Sequence, residues 1–183
     1  MFRTQDEIFQ FDSVDQIWLC RMIVGERSQR WKFSEDEAAA LLWAITNRYL
    51  LHRGRRHWPT FVYMLRRFSQ PINPRWMKGG DLARKYAGRD EASPARLKRR
   101  AQISALPWHR ISKKIRNAVV RFCTGRILPP KAILNLPRNR VTNWASYPSV
   151  DEKHPGGVWI KGNYFFEDRG VLKPDAVLPD FWR

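Results

Sequence analysis

Cysteine is almost absent, with only Cys20 and Cys123 in a chain of 183 residues. Two are too few for a disulfide framework or a cysteine-based zinc site. Both stand among apolar residues at helical spacing and read as buried thiols. Long apolar runs are also missing. No window approaches the roughly 18 consecutive apolar residues that a transmembrane helix needs. The first 15 residues hold four acids, one arginine and no apolar stretch, so they do not read as a secretory signal. His52, His57, His109 and His154 are scattered, with no metal-ligand spacing to a carboxylate. No phosphate-binding loop, dinucleotide fingerprint, G-x-S-x-G elbow or Cys/His pair occurs. The expectation is a protein that uses no metal and no cofactor.

Acids are scarce where bases are dense. The chain has 34 Lys and Arg against 17 Asp and Glu, a formal net charge of +17. Residues 38–80 contain eight bases and no acid, and residues 92–150 contain thirteen bases and no acid. A compact fold built this way attracts polyanions, either nucleic acid or an anionic cell envelope. Hydrophobic residues make up 43% of the chain, which is a globular composition. The length suits a single domain over residues 1–183 with a core that needs no staples. Nine Trp, ten Phe and five Tyr exceed what a minimal core needs and suggest a surface that stacks on sugars or bases.

The pattern is mainly helical. Ser13 followed by Gln16 reads as a capping box opening a helix from Val14 to Val24, stopped at Gly25. Ser34 and Glu37 read as a second box, with Glu35, Asp36 and Glu37 filling the first turn of a helix that runs to about Gly54. Capping accounts for this acidic cluster. A short helix is predicted over Thr60–Arg67, then an ordered loop with Pro71 and Pro74, then a polar excursion over Lys78–Ala92. Ser93-Pro94 opens a basic helix to about Ala105, and another helix runs from Ile111 to Gly125. Leu128–Pro137 reads as irregular, Val158–Phe166 as a strand or hairpin arm, and Leu172–Arg183 as a tail wrapping the surface.

Among the acids, Glu26 has no structural excuse. It follows Gly25 at the end of an apolar helix, where the dipole is negative, with Trp18 and Trp31 nearby in sequence. Both influences disfavour the ionised form and raise the pKa. A carboxylic acid kept neutral is what glycoside cleavage needs as a general acid.

Four segments recur in a recognisable order. They are Met22-Ile23-Val24-Gly25-Glu26-Arg27, Ala44-Ile45-Thr46-Asn47-Arg48, Phe68-Ser69-Gln70, and Ile160-Lys161-Gly162-Asn163-Tyr164-Phe165-Phe166. Together they resemble the cell-wall hydrolase family of the spore-cortex-lytic enzymes and their phage relatives, over about residues 19–168. The resemblance implies an α+β, mainly α, lysozyme-like fold with a small β element near the C-terminus. It also implies cleavage of the β-1,4 bond between N-acetylmuramic acid and N-acetylglucosamine in peptidoglycan glycan strands. Glu26 then matches the catalytic Glu. Asn47, Ser69, Gln70, Asn163, Tyr164 and Phe166 become substrate-binding candidates. Tyr164 replaces the family's His, Glu167 replaces its terminal Tyr, and Thr142-Asn143-Trp144 stands where Thr-His-Tyr is usual.

A glycosidase normally uses two carboxylates. With one good candidate, Glu26, a lytic transglycosylase is favoured. If Asp36 or Glu37 reaches the cleft, an inverting muramidase follows instead. The alternative from another class is a basic phage protein without enzymatic activity, with the helices over 93–105 and 111–124 straddling nucleic-acid phosphates. On the enzymatic reading, nucleic acid binds only non-specifically. The lack of a signal peptide points to a phage protein. It would be an endolysin that stays cytoplasmic until release or a virion component, with an exported toxin less favoured.

Overall fold

The computed structural model describes residues 2–3, 8–28, 32–52, 59–136, 141–147 and 149–167. It has an α+β, mainly α architecture with a three-stranded antiparallel sheet toward the C-terminus. Helix α1 spans Ser13–Glu26 and α2 spans Glu35–His52. Next come α3 (Phe61–Phe68), α4 (Asp81–Lys85), α5 (Pro94–Ser104), α6 (Lys113–Cys123), α7 (Lys131–Leu134) and α8 (Val150–Lys153). Strands β1 (Phe2–Arg3) and β2 (Ile8–Phe9) form a small antiparallel pair. Strands β3 (Asn143–Ala145), β4 (Val158–Ile160) and β5 (Asn163–Phe166) form the sheet, in the order β3-β5-β4. No helix among the described residues is long and apolar enough to cross a membrane.

Several boundaries move relative to the sequence reading. The cap of α1 is Asp12, not Ser13. Its side chain accepts from the Asp15 backbone N–H, and the Asp15 carboxylate accepts from the Asp12 N–H in return. An Asp–Asp box does the work expected of Ser and Gln because any short side-chain acceptor can serve. The helix also continues through Gly25 to Glu26. At α2 the Ser34 hydroxyl accepts from the Glu37 N–H at 3.3 Å, one half of the predicted box, while the Glu37 carboxylate accepts from Ser28 and Asn163 in place of the Ser34 N–H. The predicted end of that helix near Gly54 and the tail from Leu172 lie outside the described residues. The polar excursion contains α4, and the Pro-rich segment contains α7. Strand β3 had no sequence forecast.

Residues 37–49 of α2 are buried without a break, so this helix is the axis of the core and not an amphipathic surface helix. The run Ala38-Ala39-Ala40 lets neighbours approach closely. Helices α1, α3 and α6 and the sheet pack around it. Phe122 of α6 meets Trp43 edge-on at 5.1 Å, and Phe61 meets Tyr49 edge-on at 5.3 Å. Cys20 is buried, as expected, whereas Cys123 is only partly buried. Burial pushes both thiols up to about 12, which leaves them protonated and inert at neutral pH.

Candidate active site

Glu26 is the last residue of α1, and its carboxyl borders a cavity of about 620 Å³. Gln70, Asn143, Trp144, Tyr147 and Asn163 line the same space. The Ser69 hydroxyl donates to Glu26 Oε1 at 2.7 Å. The Trp144 side chain and the Gln70 backbone also favour the charged form of this carboxyl. Burial raises its pKa, and these three groups pull the other way without cancelling it. The last turn of α1 contains no basic residue to offset the negative end of its dipole. Of the two tryptophans suggested by sequence, Trp18 instead packs against the guanidinium groups of Arg21 and Arg66, at 4.4 and 4.3 Å from its ring. Trp31 lies outside the described residues. The aromatic wall at Glu26 comes from Trp144 and Phe68, packed edge-on at 5.1 Å.

The other candidates separate into three groups. Gln70 is exposed and lines the cavity. Ser69 and Asn163 belong to the site but are fixed within it. Ser69 is fully buried and directs its hydroxyl to Glu26. The Asn163 amide donates to the backbone carbonyl of Glu26 at 3.1 Å and to Glu37 Oε1 at 3.0 Å. The first of these bonds satisfies a carbonyl that a helix end leaves without an intrahelical partner. Both residues hold the acid in place, and Asn163 also lines the cavity.

Asn47, Tyr164 and Phe166 do not reach the cavity. Asn47 is buried and donates to the Val141 carbonyl at 3.0 Å, while its neighbour Arg48 donates to the Thr142 carbonyl at 3.0 Å. The Asn-Arg pair therefore anchors the chain that leads into β3 and presents Asn143 and Trp144 to the cavity. Tyr164 and Phe166 fail for a reason of period. Side chains alternate along a strand, so Asn163 and Phe165 take one face of β5 and Tyr164 and Phe166 the other. That second face packs on Val150 of α8. The Tyr164 hydroxyl accepts from the Gly157 N–H and donates to the His154 carbonyl, and Phe166 stacks on His154 at 4.0 Å.

Glu37 does not turn its carboxylate back to the helix cap as the sequence suggests. It is 2% exposed, and its Oε1 accepts from both the Ser28 N–H and the Asn163 amide. Asp36 is exposed. Neither lines the cavity with Glu26. Sequence reading also missed Asn143, Trp144 and the partly exposed Tyr147, all of which come from β3 and the turn after it. The only signal was the Thr-Asn-Trp run noted as a departure from the family pattern. Among the described residues, no three His, Cys, Asp or Glu side chains cluster in a way that could hold a metal ion.

Two glycines permit this assembly. A Cβ on Gly25 would lie 2.3 Å from Pro71 Cβ, and a Cβ on Gly162 would lie 2.6 Å from Ser28 Cβ. The first close approach lets the Ser69–Pro71 turn reach Glu26, and the second brings β5 against the Ser28 segment. Gly25→Ala should therefore lower stability by about 1–3 kcal/mol through overpacking, less the ~1 kcal/mol that alanine gains in a helix. A thermal melt checks this, and a midpoint above that of the wild type would contradict the tight contact.

Comparison with protein-family models, with curated proteins and with solved structures returned no match to this chain.

Proposed function

We propose that this chain cleaves the β-1,4 bond between N-acetylmuramic acid and N-acetylglucosamine in peptidoglycan, as a lytic transglycosylase with Glu26 as its one acid and base. The supporting observation is the Glu26 carboxyl. It borders a roomy cavity, burial favours its neutral form, and Ser69 holds it in place. The lysozyme-like order of motifs noted in the sequence supports the same reading, as does a cavity of about 620 Å³, which has room for sugar rings. Service in phage lysis or wall penetration belongs to this proposal, with the basic surface drawing the enzyme to an anionic envelope.

In this mechanism, neutral Glu26 gives its proton to the bridging oxygen as the C1–O4 bond breaks. The resulting carboxylate takes the proton from the muramic acid C6 hydroxyl. O6 then bonds to C1 and closes a 1,6-anhydro ring. The proton passes from O6 to O4 through one side chain, and no water is consumed. A second carboxylate would be needed to activate water in an inverting hydrolase. Glu37 is buried against Asn163 and Ser28, away from the cavity lining, which favours the transglycosylase over the muramidase.

Digestion of purified sacculi followed by mass analysis of the muropeptides tests the reading. Products lighter by one water carry anhydro ends and support it. Hydrated ends would convert it to a muramidase, and intact sacculi would overturn it.

The hydrogen bond from Ser69 favours the charged form of Glu26. Ser69→Ala should therefore raise the Glu26 pKa further and move the alkaline limb of the pH–rate profile to higher pH. A limb that stays in place or moves down would show that Ser69 does not tune the acid.

A further inference from the structure

A second cavity, of about 210 Å³, adjoins the first, and Gln70 and Arg96 line both. Arg96, Arg99 and Arg100 give it its character. Their spacing puts them on one face of α5, and no Asp or Glu is among the lining residues.

The three guanidinium groups are unequal. Arg100 is 6% exposed. It is held by a hydrogen bond from Nη1 to the Glu91 carbonyl at 2.7 Å and by the Trp76 ring at 4.8 Å. Both of these partners are neutral. Burial and the like charge of Arg96 lower its pKa, and the Glu91 carboxylate only partly offsets this. A cation buried so deeply is normally matched by a bound anion or a contacting carboxylate. Arg96 pairs with Asp90 at the surface, an exposed contact that is weak and exchangeable. Arg99 is exposed and makes no ion pair among the described residues.

We infer that this pocket is a carboxylate subsite, which receives a carboxylate of the peptide stem carried by N-acetylmuramic acid, beside the bond that Glu26 cleaves. This rests on the peptidoglycan reading given above. The stem is joined to the muramic acid O3 through a lactyl group and bears free carboxylates. Guanidinium forks match a carboxylate in a bidentate way. The pocket has room for a carboxylate on a few carbons. Phosphate shares this anion chemistry, but the stem is the anion borne by the same strand that occupies the neighbouring cavity.

Two measurements test the subsite. The first is calorimetric titration of the wild type and Arg99→Gln with an N-acetylmuramyl tripeptide, with a stem-free muramyl disaccharide and with inorganic phosphate. The expected result is at least tenfold weaker binding of the tripeptide to Arg99→Gln, with the disaccharide unaffected. Equal weakening for the disaccharide, no tripeptide binding, or phosphate binding as tight as the tripeptide would overturn the subsite. The second is the ratio of turnover on peptide-bearing strands to turnover on amidase-stripped strands. It should favour the peptide-bearing strands in the wild type and fall at least tenfold in Arg99→Gln. A wild-type ratio of one would overturn the subsite and leave the cleavage reading standing. Arg99-dependent tripeptide binding by a protein that cuts neither strand would support the subsite and overturn the cleavage reading.

Discussion

Glu26→Gln should lower glycan cleavage by about 10³-fold, or about 4 kcal/mol of transition-state stabilisation, while the protein stays folded. Gln keeps an oxygen for the Ser69 hydroxyl and nearly the same volume, so the loss isolates the proton. The variant should also differ from the wild type in stability in a pH-dependent way. The folded-state pKa of Glu26 is raised above the ordinary value of 4.5. The folded state therefore holds this proton more tightly than the unfolded state does. The resulting stabilisation is fully present below pH 4.5 and is lost as pH rises toward the folded-state value. Gln cannot ionise, so the variant should match the wild type in acid and melt higher at alkaline pH. Sacculus turnover and thermal melts across pH measure the two effects. Cleavage within tenfold of wild type would remove Glu26 from the mechanism. A stability difference that does not change with pH would remove the buried-acid account.

The sequence was most informative where one residue determines its own surroundings. Glu26 at the end of an apolar helix was legible because the helix dipole acts locally, whereas the apolar wall around it comes from Phe68 and Trp144 and not from Trp18. Ser34 and Glu37 were legible as a cap for the same reason. The sequence said less where a role depends on distant partners. Asn47 looks like a binding residue until Val141, 94 residues later, takes its amide. Tyr164 and Phe166 sit beside Asn163 in sequence, but the two-residue period of a strand sends them to the opposite face. Trp144 reaches Glu26 only because β3, three residues long, pairs with β5. A strand that short has too few residues for its alternation to stand out. Glu37 reads fully as a helix-cap residue, which hid a second role that requires Asn163, 126 residues away.

That second role of Glu37 leads to the other large expected effect. A single oxygen of Glu37 accepts from both the Ser28 N–H and the Asn163 amide, and the same amide holds the end of α1 at Glu26. Glu37→Ala removes the acceptor, leaving the half-buried Ser28 N–H without it and the buried Asn163 amide with only its bond to the Glu26 carbonyl. It should cost about 2–4 kcal/mol of stability. It should also reduce cleavage by about 10²-fold, because a small displacement of Glu26 is enough to misalign the proton transfer. Glu37→Gln makes the diagnosis. Its amide oxygen can accept the same two bonds, so both stability and cleavage should return to within a fewfold of wild type, with the anhydro product unchanged. A base that activates water behaves otherwise, since Gln cannot take up a proton and activity would be lost as completely as in Glu37→Ala. Melting curves, turnover on sacculi and product masses for the two variants thus separate a positioning residue from a catalytic one. Inactivity in a well-folded Glu37→Gln would assign two carboxylates to the reaction and make the enzyme an inverting muramidase.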